Sequence, residues 1–258
     1  MERFAGRTVL ITGGAGGQGS SHLQAYLDEG ADVVIGDIRD QLGASLVAGH
    51  DRAHYVHLDV TDEGDWAAAV EAAESLFGPI SVLVNNAGIG SPPVLIEDGA
   101  LDDWQHIIAV NLTGTYLGIR AAVPSMKRAG GGSIVNIASM AANTGIAHLA
   151  PYVASKWGVR GLTRTAALEL GRLGVRVNSI HPGVVETPFI TEPLRPGLAP
   201  VSDYFSPDPF AIKRLAQPRD ITELLLFLTS EAASFITGSE FVADGGLLLG
   251  PAVPADAA

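Results

Sequence analysis

Short apolar runs recur along the chain, and stretches of helical character separate most of them. Arg7-Thr8-Val9-Leu10-Ile11 is a β-rich run that leads straight into a cluster of glycines. Beyond the glycines, Ser20 to Leu27 has helix-forming character, with Leu23 and Leu27 at i, i+4 spacing. A second apolar run, Ala31 to Gly36, ends at Asp37. Continued along the chain, the pattern predicts strands over 7–12, 31–36, 53–58, 80–85, 132–138, 175–180 and 240–243. It predicts helices over 17–29, 40–48, 62–77, 101–127, 151–173 and 218–230. Such alternation implies a parallel sheet covered by helices on both faces. One region breaks the rhythm: 186–217 holds Pro188, Pro193, Pro196, Pro200, Pro207 and Pro209 among the aromatics Phe189, Tyr204, Phe205 and Phe210. A loop of that length inside a compact domain is usually functional or disordered, and its place favours a substrate lid.

Composition narrows the class. At 258 residues and 47% apolar, the chain is long enough for one α/β domain with a full core. No linker or repeat divides it, so a single domain over 1–258 is expected, with the lid at about 186–217 and a tail at 247–258. The tail opens on three leucines, suited either to packing within the domain or to a subunit interface. There is no cysteine, which excludes disulfides and thiolate metal sites. No His/Asp/Glu cluster has transition-metal spacing, so no catalytic metal is expected. The formal net charge of −12 argues against nucleic acid, and it tilts slightly against acyl-carrier and coenzyme A thioesters. The N-terminus lacks the apolar core of a signal peptide, and no apolar stretch reads as long enough to cross a membrane. The expectation is a cytoplasmic protein with neither membrane nor nucleic acid as partner.

The glycines, Thr12-Gly13-Gly14-Ala15-Gly16-Gly17-Gln18-Gly19, lie between a strand and a helix, and Asp37 closes the next strand eighteen residues after Gly19. Strand, tight turn, helix, strand and acid, in that order, are what a dinucleotide site requires. Glycines let the backbone approach a pyrophosphate, and the helix N-terminus behind them offers free N–H groups. A carboxylate at Asp37 accepts from ribose hydroxyls and repels a 2′-phosphate, so the expected cofactor is NAD; Arg39 is the one dissenting residue. Further along, Tyr152 and Lys156 stand four residues apart and share a helix face, thirteen residues after Ser139. An ammonium beneath a phenol favours the phenolate and lowers its pKa from about 10. With Ser139 holding the substrate oxygen, the three residues read as acid–base chemistry at an alcohol or carbonyl carbon, with a nicotinamide as hydride partner.

Over roughly residues 4–250 the chain resembles the short-chain dehydrogenase/reductase family in its single-domain branch. Thr12, Gly13, Gly17 and Gly19 match the family's cofactor motif, and Asn85-Asn86-Ala87-Gly88 matches its Asn-Asn-Ala-Gly motif. The fold implied is a single-domain, Rossmann-type, doubly wound parallel α/β sheet of about seven strands. The resemblance implies a catalytic set of Asn111, Ser139, Tyr152 and Lys156. The cofactor residues it implies, together with those read above, are Gly13, Gly17, Gln18, Gly19, Asp37, Ile38, Asp59, Val60, Asn86, Ala87, Gly88, Tyr152, Lys156, Pro182, Gly183, Val185 and Thr187. It also implies that the long helices pair across a dimer axis, usually within a homotetramer.

Candidate substrate contacts are Ser139, Met140, His148, Tyr152, Phe189 and Phe205. The sequence therefore reads as an NAD(H)-dependent oxidoreductase that interconverts a secondary alcohol and a ketone, with a bulky apolar substrate such as a steroid or an aryl or cyclic ketone. Two alternatives stay open. One is a 3-oxoacyl thioester reductase of fatty-acid type, and the other is a non-catalytic dinucleotide sensor.

Overall fold

Alternate side chains of the central strands feed two separate cores. Val9 and Ile11 face one apolar cluster and Leu10 the other; Val33 and Ile35 oppose Val34, Val82 and Val84 oppose Leu83, and Val135 and Ile137 oppose Ile134. Strands buried on both faces are the mark of a parallel sheet sandwiched by helices.

A computed structural model describes residues 2–204 and 206–251. The elements are β1 (Thr8–Thr12), α1 (Gln18–Asp28), β2 (Asp32–Asp37), α2 (Asp40–Val47), β3 (Ala53–His57), α3 (Glu63–Phe77), β4 (Ile80–Asn85), α4 (Leu101–Ile108), α5 (Gly114–Arg128), β5 (Gly132–Ile137), α6 (Ala150–Leu170), β6 (Val175–Pro182), α7 (Pro188–Thr191), α8 (Pro218–Thr229) and β7 (Glu240–Ala243). The strands pair in parallel throughout, in the order β3-β2-β1-β4-β5-β6-β7. This is a seven-stranded doubly wound sheet of Rossmann type. Strand order reverses between β1 and β4, and ligands in such sheets bind in the crevice outside the carboxyl ends at that point.

Leu23, Tyr26 and Leu27 of α1 and Ile221 and Leu225 of α8 fill the core on one face. Trp66 of α3, Leu117 and Met126 of α5 and Ala166 of α6 fill the other. On that second face α5 approaches the sheet very closely. A Cβ at Gly118 would lie 2.4 Å from Asn85 Oδ1 and 2.6 Å from the Trp66 ring. A buried polar chain fixes α6 as well: Asn85 Nδ2 donates to Asn136 Oδ1 at 2.8 Å, and Asn136 Nδ2 donates to Thr163 Oγ1 at 2.9 Å.

Two expectations need correction. The single helix over 101–127 is interrupted by a π-helical turn, Ala109–Thr113, between α4 and α5. Apolar periodicity is too coarse to show one extra residue in a turn. In addition, the joined stretch Leu101–Arg128 does reach the length and apolar composition of a membrane span, contrary to the sequence reading. Here its apolar side packs against β4 and α3. Core helices of globular proteins share that composition.

The proline-rich region is more ordered than its composition suggests. It holds α7 and a 3₁₀ turn at Val201–Tyr204. Ile190, Phe210 and Val184 form a small core of their own, against which Val201, Leu215 and Leu247 pack. Leu247 thus packs internally, whereas Leu249 is 90% exposed; the end of the tail, 252–258, lies outside the described residues.

One buried group makes this fold sensitive to acid. His22 of α1 is fully buried, its Nδ1 lies 2.8 Å from Thr222 Oγ1 of α8, and its Nε2 has no partner among the described residues. Burial pushes its pKa down to about 3. The unfolded chain takes up a proton below about pH 6.5 that the folded chain refuses, so stability is full above that pH and falls as the pH drops from 6.5 towards 3. The expected loss is roughly 1 kcal/mol per pH unit from this residue. Urea unfolding of wild type and His22→Gln between pH 7 and 4 should show a shallower decline in the variant, whatever its absolute stability.

Candidate active site

The glycine turn follows β1 directly and needs its glycines for packing as well as for access. Gly17 has φ of 55°, a conformation L side chains rarely adopt, and a Cβ at Gly19 would fall 2.1 Å from the Gly13 carbonyl oxygen. Behind the turn, α1 begins without a capping side chain and without an acidic residue in its first turn. Its N–H groups and positive dipole end are thus left for an anion. The Gln18 Oε1 atom is buried there without a hydrogen-bond partner among the described residues. This open cradle fits the pyrophosphate of a dinucleotide. Asn86 braces the turn from β4: its Nδ2 donates to the carbonyls of Thr12 and Gly13, and Thr12 Oγ1 accepts from the amides of Asn86 and Ala87.

Asp37 closes β2 and is only 5% exposed. Its carboxylate accepts from the Ala15 amide at 3.0 Å and from the amide, Nε and Nη2 of Arg39. Burial works against its charge, but these donors outweigh burial and hold the carboxyl below its usual range. Arg39 therefore engages the carboxylate, with its guanidinium over Gly16, where a Cβ would meet it at 2.9 Å. Ile38 next to it is 62% exposed. Asp59 accepts from the amide and hydroxyl of Thr61 and so shapes its own loop. Val60 and Val185 are core residues, 7% and 4% exposed, so their backbones rather than their side chains can face a cofactor. The Pro182-Gly183 turn ends β6, with Gly183 pressed on Asp244, where a Cβ would come within 2.7 Å. Thr187 is buried, its side chain 3.5 Å from where a Gly17 Cβ would stand.

The four candidate catalytic residues converge at the carboxyl ends of β4 and β5. Pro151 opens α6, where its missing N–H costs nothing. One turn on, the Lys156 ammonium lies 5.7 Å from the Tyr152 ring centre and donates to the Ile137 carbonyl at 3.0 Å. Burial pushes the lysine down to about 8. The tyrosine differs from expectation. Burial raises the Tyr152 phenol, and the polar Ser139 hydroxyl beside it pulls it only part of the way back. Desolvation of the phenolate thus outweighs any help from the neighbouring ammonium, a balance that residue spacing alone cannot reveal. Ser139 Oγ also accepts from the Ala141 amide at 3.1 Å.

Asn111 sits inside the π turn, 1% exposed. Its Oδ1 accepts from the Ile89 amide at 2.8 Å, and its Nδ2 donates to the Ile89 carbonyl at 3.0 Å and to Ser155 Oγ at 3.2 Å. A Cβ at Gly88 would stand 3.3 Å from Asn111 Oδ1 and 3.4 Å from Lys156 Nζ, so the glycine leaves space between the three residues.

On the substrate side, the Phe189 ring centre is 6.3 Å from that of Tyr152. Gly90 provides a floor: a Cβ there would meet Leu194 at 3.0 Å and Phe189 at 3.3 Å. Met140 follows Ser139 at half-buried depth. His148 is exposed with φ of 68°, and its carbonyl accepts from the Val94 amide at 3.0 Å. Phe205 lies outside the described residues. Sequence reading assigned no role to Gly90 and did not pair it with Leu194. Nor did it pair Asn143 with His181; Asn143 Nδ2 is hydrogen-bonded to the buried His181 ring at 2.8 Å. No signal along the chain links either pair.

Comparison with known proteins extends this picture. Residues 14–248 match a protein family described as enoyl-(acyl carrier protein) reductase. The chain is 48% identical to a 3-alpha-(or 20-beta)-hydroxysteroid dehydrogenase of Mycobacterium bovis, over 96% of this chain and 92% of the relative. It is 44% identical to a trans-4-hydroxycyclohexanecarboxylate dehydrogenase of Sinomonas cyclohexanicum, over 99% and 98% of the two chains. Among solved structures, a 3-ketoacyl-(acyl-carrier-protein) reductase of Brucella melitensis complexed with NADH superposes with a TM-score of 0.86 at 36% identity, covering 94% of this chain and 98% of that one.

The two bonds from Asn111 to Ile89 tie the segment after β4 to the π turn. Asn111→Ala removes both, so the Ile89 amide should exchange its hydrogen much faster while global stability falls by about 1–3 kcal/mol. Native-state hydrogen exchange at Ile89, compared with amides in β5, checks this.

Proposed function

The chain belongs to the short-chain dehydrogenase/reductase family and is an oxidoreductase that interconverts secondary alcohols and ketones with a nicotinamide dinucleotide; on that premise we propose that it uses NAD(H) and acts on a bulky, apolar, cyclic or hydroxysteroid-like alcohol. The observation that carries the reading is the convergence of Tyr152, Ser139 and Lys156 beside the Phe189 ring. Bound NAD supplies the hydride acceptor and, when oxidised, a positive charge. Gly13, Gly17, Gln18 and Gly19 would cradle its pyrophosphate, and Asp37, held in place by Arg39, would take the adenosine ribose hydroxyls. Ile38, Asp59, Val60, Asn86, Ala87 and Gly88 line the adenosine side, and Pro182, Gly183, Val185 and Thr187 the nicotinamide side.

In oxidation Tyr152 takes the proton of the substrate hydroxyl, and in reduction it returns one to the carbonyl oxygen. Ser139 orients that oxygen. Lys156, anchored on the Ile137 carbonyl, holds the nicotinamide ribose hydroxyls and places positive charge below the phenol. Asn111 holds a water that links Lys156 to solvent. Met140, His148 and Phe189 border the substrate.

The 3-oxoacyl thioester reading has one supporting observation, the likeness to the Brucella reductase. Against it stand the more similar relatives that are named for steroid and cyclohexane alcohols, and the apolar Phe189 beside Tyr152, with Leu194 near Phe189 over Gly90. A non-catalytic sensor would need neither the phenol nor the ammonium. We further propose one catalytic domain, with 186–217 as lid, acting in the cytoplasm without nucleic acid or membrane as partner. A homotetramer built on α5 and α6 would cover Tyr116, Trp157 and Leu168, which are 50%, 45% and 86% exposed.

Tyr152→Phe keeps the ring and removes the transferable proton. Turnover of a cyclic alcohol should fall by about 10²–10⁴-fold with cofactor affinity little changed; a loss under tenfold would reject the assignment. Because burial raises the phenol, alcohol oxidation by the wild type should accelerate as the pH rises through the alkaline range. Asp37→Ser should weaken NAD and narrow its lead over NADP in kcat/KM. A wild type that prefers NADP would show that Arg39 outweighs the carboxylate.

A further inference from the structure

The lid makes two adjacent contacts that the chemistry described so far does not use. Leu194 packs on Gly90: its methyls lie 3.0 and 3.1 Å from where a Gly90 Cβ would stand, and Phe189 Cζ lies 3.3 Å from the same point. Phe189 in turn leans on Tyr152, with ring centres 6.3 Å apart. The next lid residue, Arg195, pairs with Asp103 in the first turn of α4, at 2.5 Å and across 92 residues of sequence. Both partners are partly exposed, at 52% and 40%. The lid base is held separately, by the small core of Ile190, Phe210 and Val184.

We propose that Leu194, seated on Gly90, sets the depth of the substrate pocket beside Tyr152, and that the Arg195–Asp103 pair keeps it seated. Leu194 is then a size-determining residue, and Asp103 is a positioning residue that acts through Arg195. The proposal rests on the alcohol dehydrogenase reading. The missing Cβ of Gly90 gives Leu194 its seat. On this reading the Leu194 side chain takes up space beside Phe189, and its truncation or lifting leaves more room for a longer fused-ring body. An exposed ion pair contributes little to global stability. It can still set a local equilibrium, because a lid tip opens at far lower cost than the whole fold. Screening of exposed charges makes the latch sensitive to salt.

The test compares kcat/KM for a hydroxysteroid with that for cyclohexanol, and measures amide exchange of the lid segment 190–203 without substrate. Leu194→Ala should raise the steroid-to-cyclohexanol ratio by about tenfold, the scale of small volume changes in an apolar pocket. Asp103→Asn should shift the ratio the same way by a few-fold, through KM rather than kcat, and speed lid exchange. Exchanging the charges, Arg195→Asp with Asp103→Arg, should restore the ratio and slow the lid again. A ratio unchanged within twofold in Leu194→Ala overturns the size role. Unchanged lid exchange in Asp103→Asn, or no rescue by the charge exchange, overturns the latch. If the wild type turns over neither alcohol, the substrate reading fails and the size role with it, while the exchange measurement still decides the latch on its own.

Discussion

A buried ammonium needs partners, and in this protein the partner is a strand end. Lys156 is 5% exposed and donates to the Ile137 carbonyl at the carboxyl end of β5. A charge taken out of water costs several kcal/mol unless hydrogen bonds replace its hydration. The carbonyl therefore fixes where the ammonium sits, and the helix geometry of α6 then fixes Tyr152 one turn away. Two residues beyond Ile137 the same strand delivers Ser139. One contact thus sets the spacing between the Tyr152 phenol, the Lys156 ammonium and the Ser139 hydroxyl.

The rest of the second core holds α6 against that contact. The Asn85–Asn136–Thr163 chain joins β4, β5 and α6 through buried polar groups. Their exchange for apolar residues would keep the burial and lose the register, because hydrogen bonds are directional and apolar contact is not. Gly118 allows α5 to lie on Asn85 and Trp66 at a distance no side chain permits. The proline-rich segment has a small core of its own and a charged tip, which is what the proposed lid requires.

Much of this was legible in the sequence, where one element carries the whole signal. The strands are found within a few residues of their expected bounds, because a short continuous apolar run between polar or glycine positions is visible from neighbours in the chain alone. Tyr152 and Lys156 were visible because four residues on one helix imply one face. The glycine turn and Asp37 were visible because strand, turn and helix follow in sequence. What stayed hidden depends on distant partners. No local pattern pairs Leu194 with Gly90, Arg195 with Asp103, or Asn143 with His181. The upward shift of the Tyr152 phenol was hidden for the same reason, since burial belongs to the assembled site. The grip of Arg39 on Asp37 turned a residue that had seemed to favour a phosphate into one engaged by its own carboxylate.

The wide turn at Ala109–Thr113 has an implication for how this sequence can change. It spreads the chain over five residues where a regular helix would use fewer, and Asn111 gains its orientation toward Ile89 from that spread, with Thr115 Oγ1 covering the Asn111 carbonyl at 2.8 Å. Deletion of one residue there would let α4 and α5 merge into an ordinary helix, with better backbone geometry. The wide turn rotates less per residue than a regular helix, so its removal would leave α5 facing the sheet as before. Leu117 and Gly118 would keep their places, and the loss would fall on Asn111 and its two bonds to Ile89. A homologous sequence one residue shorter between Ala109 and Thr113 should therefore keep the fold and forfeit the orientation of that asparagine.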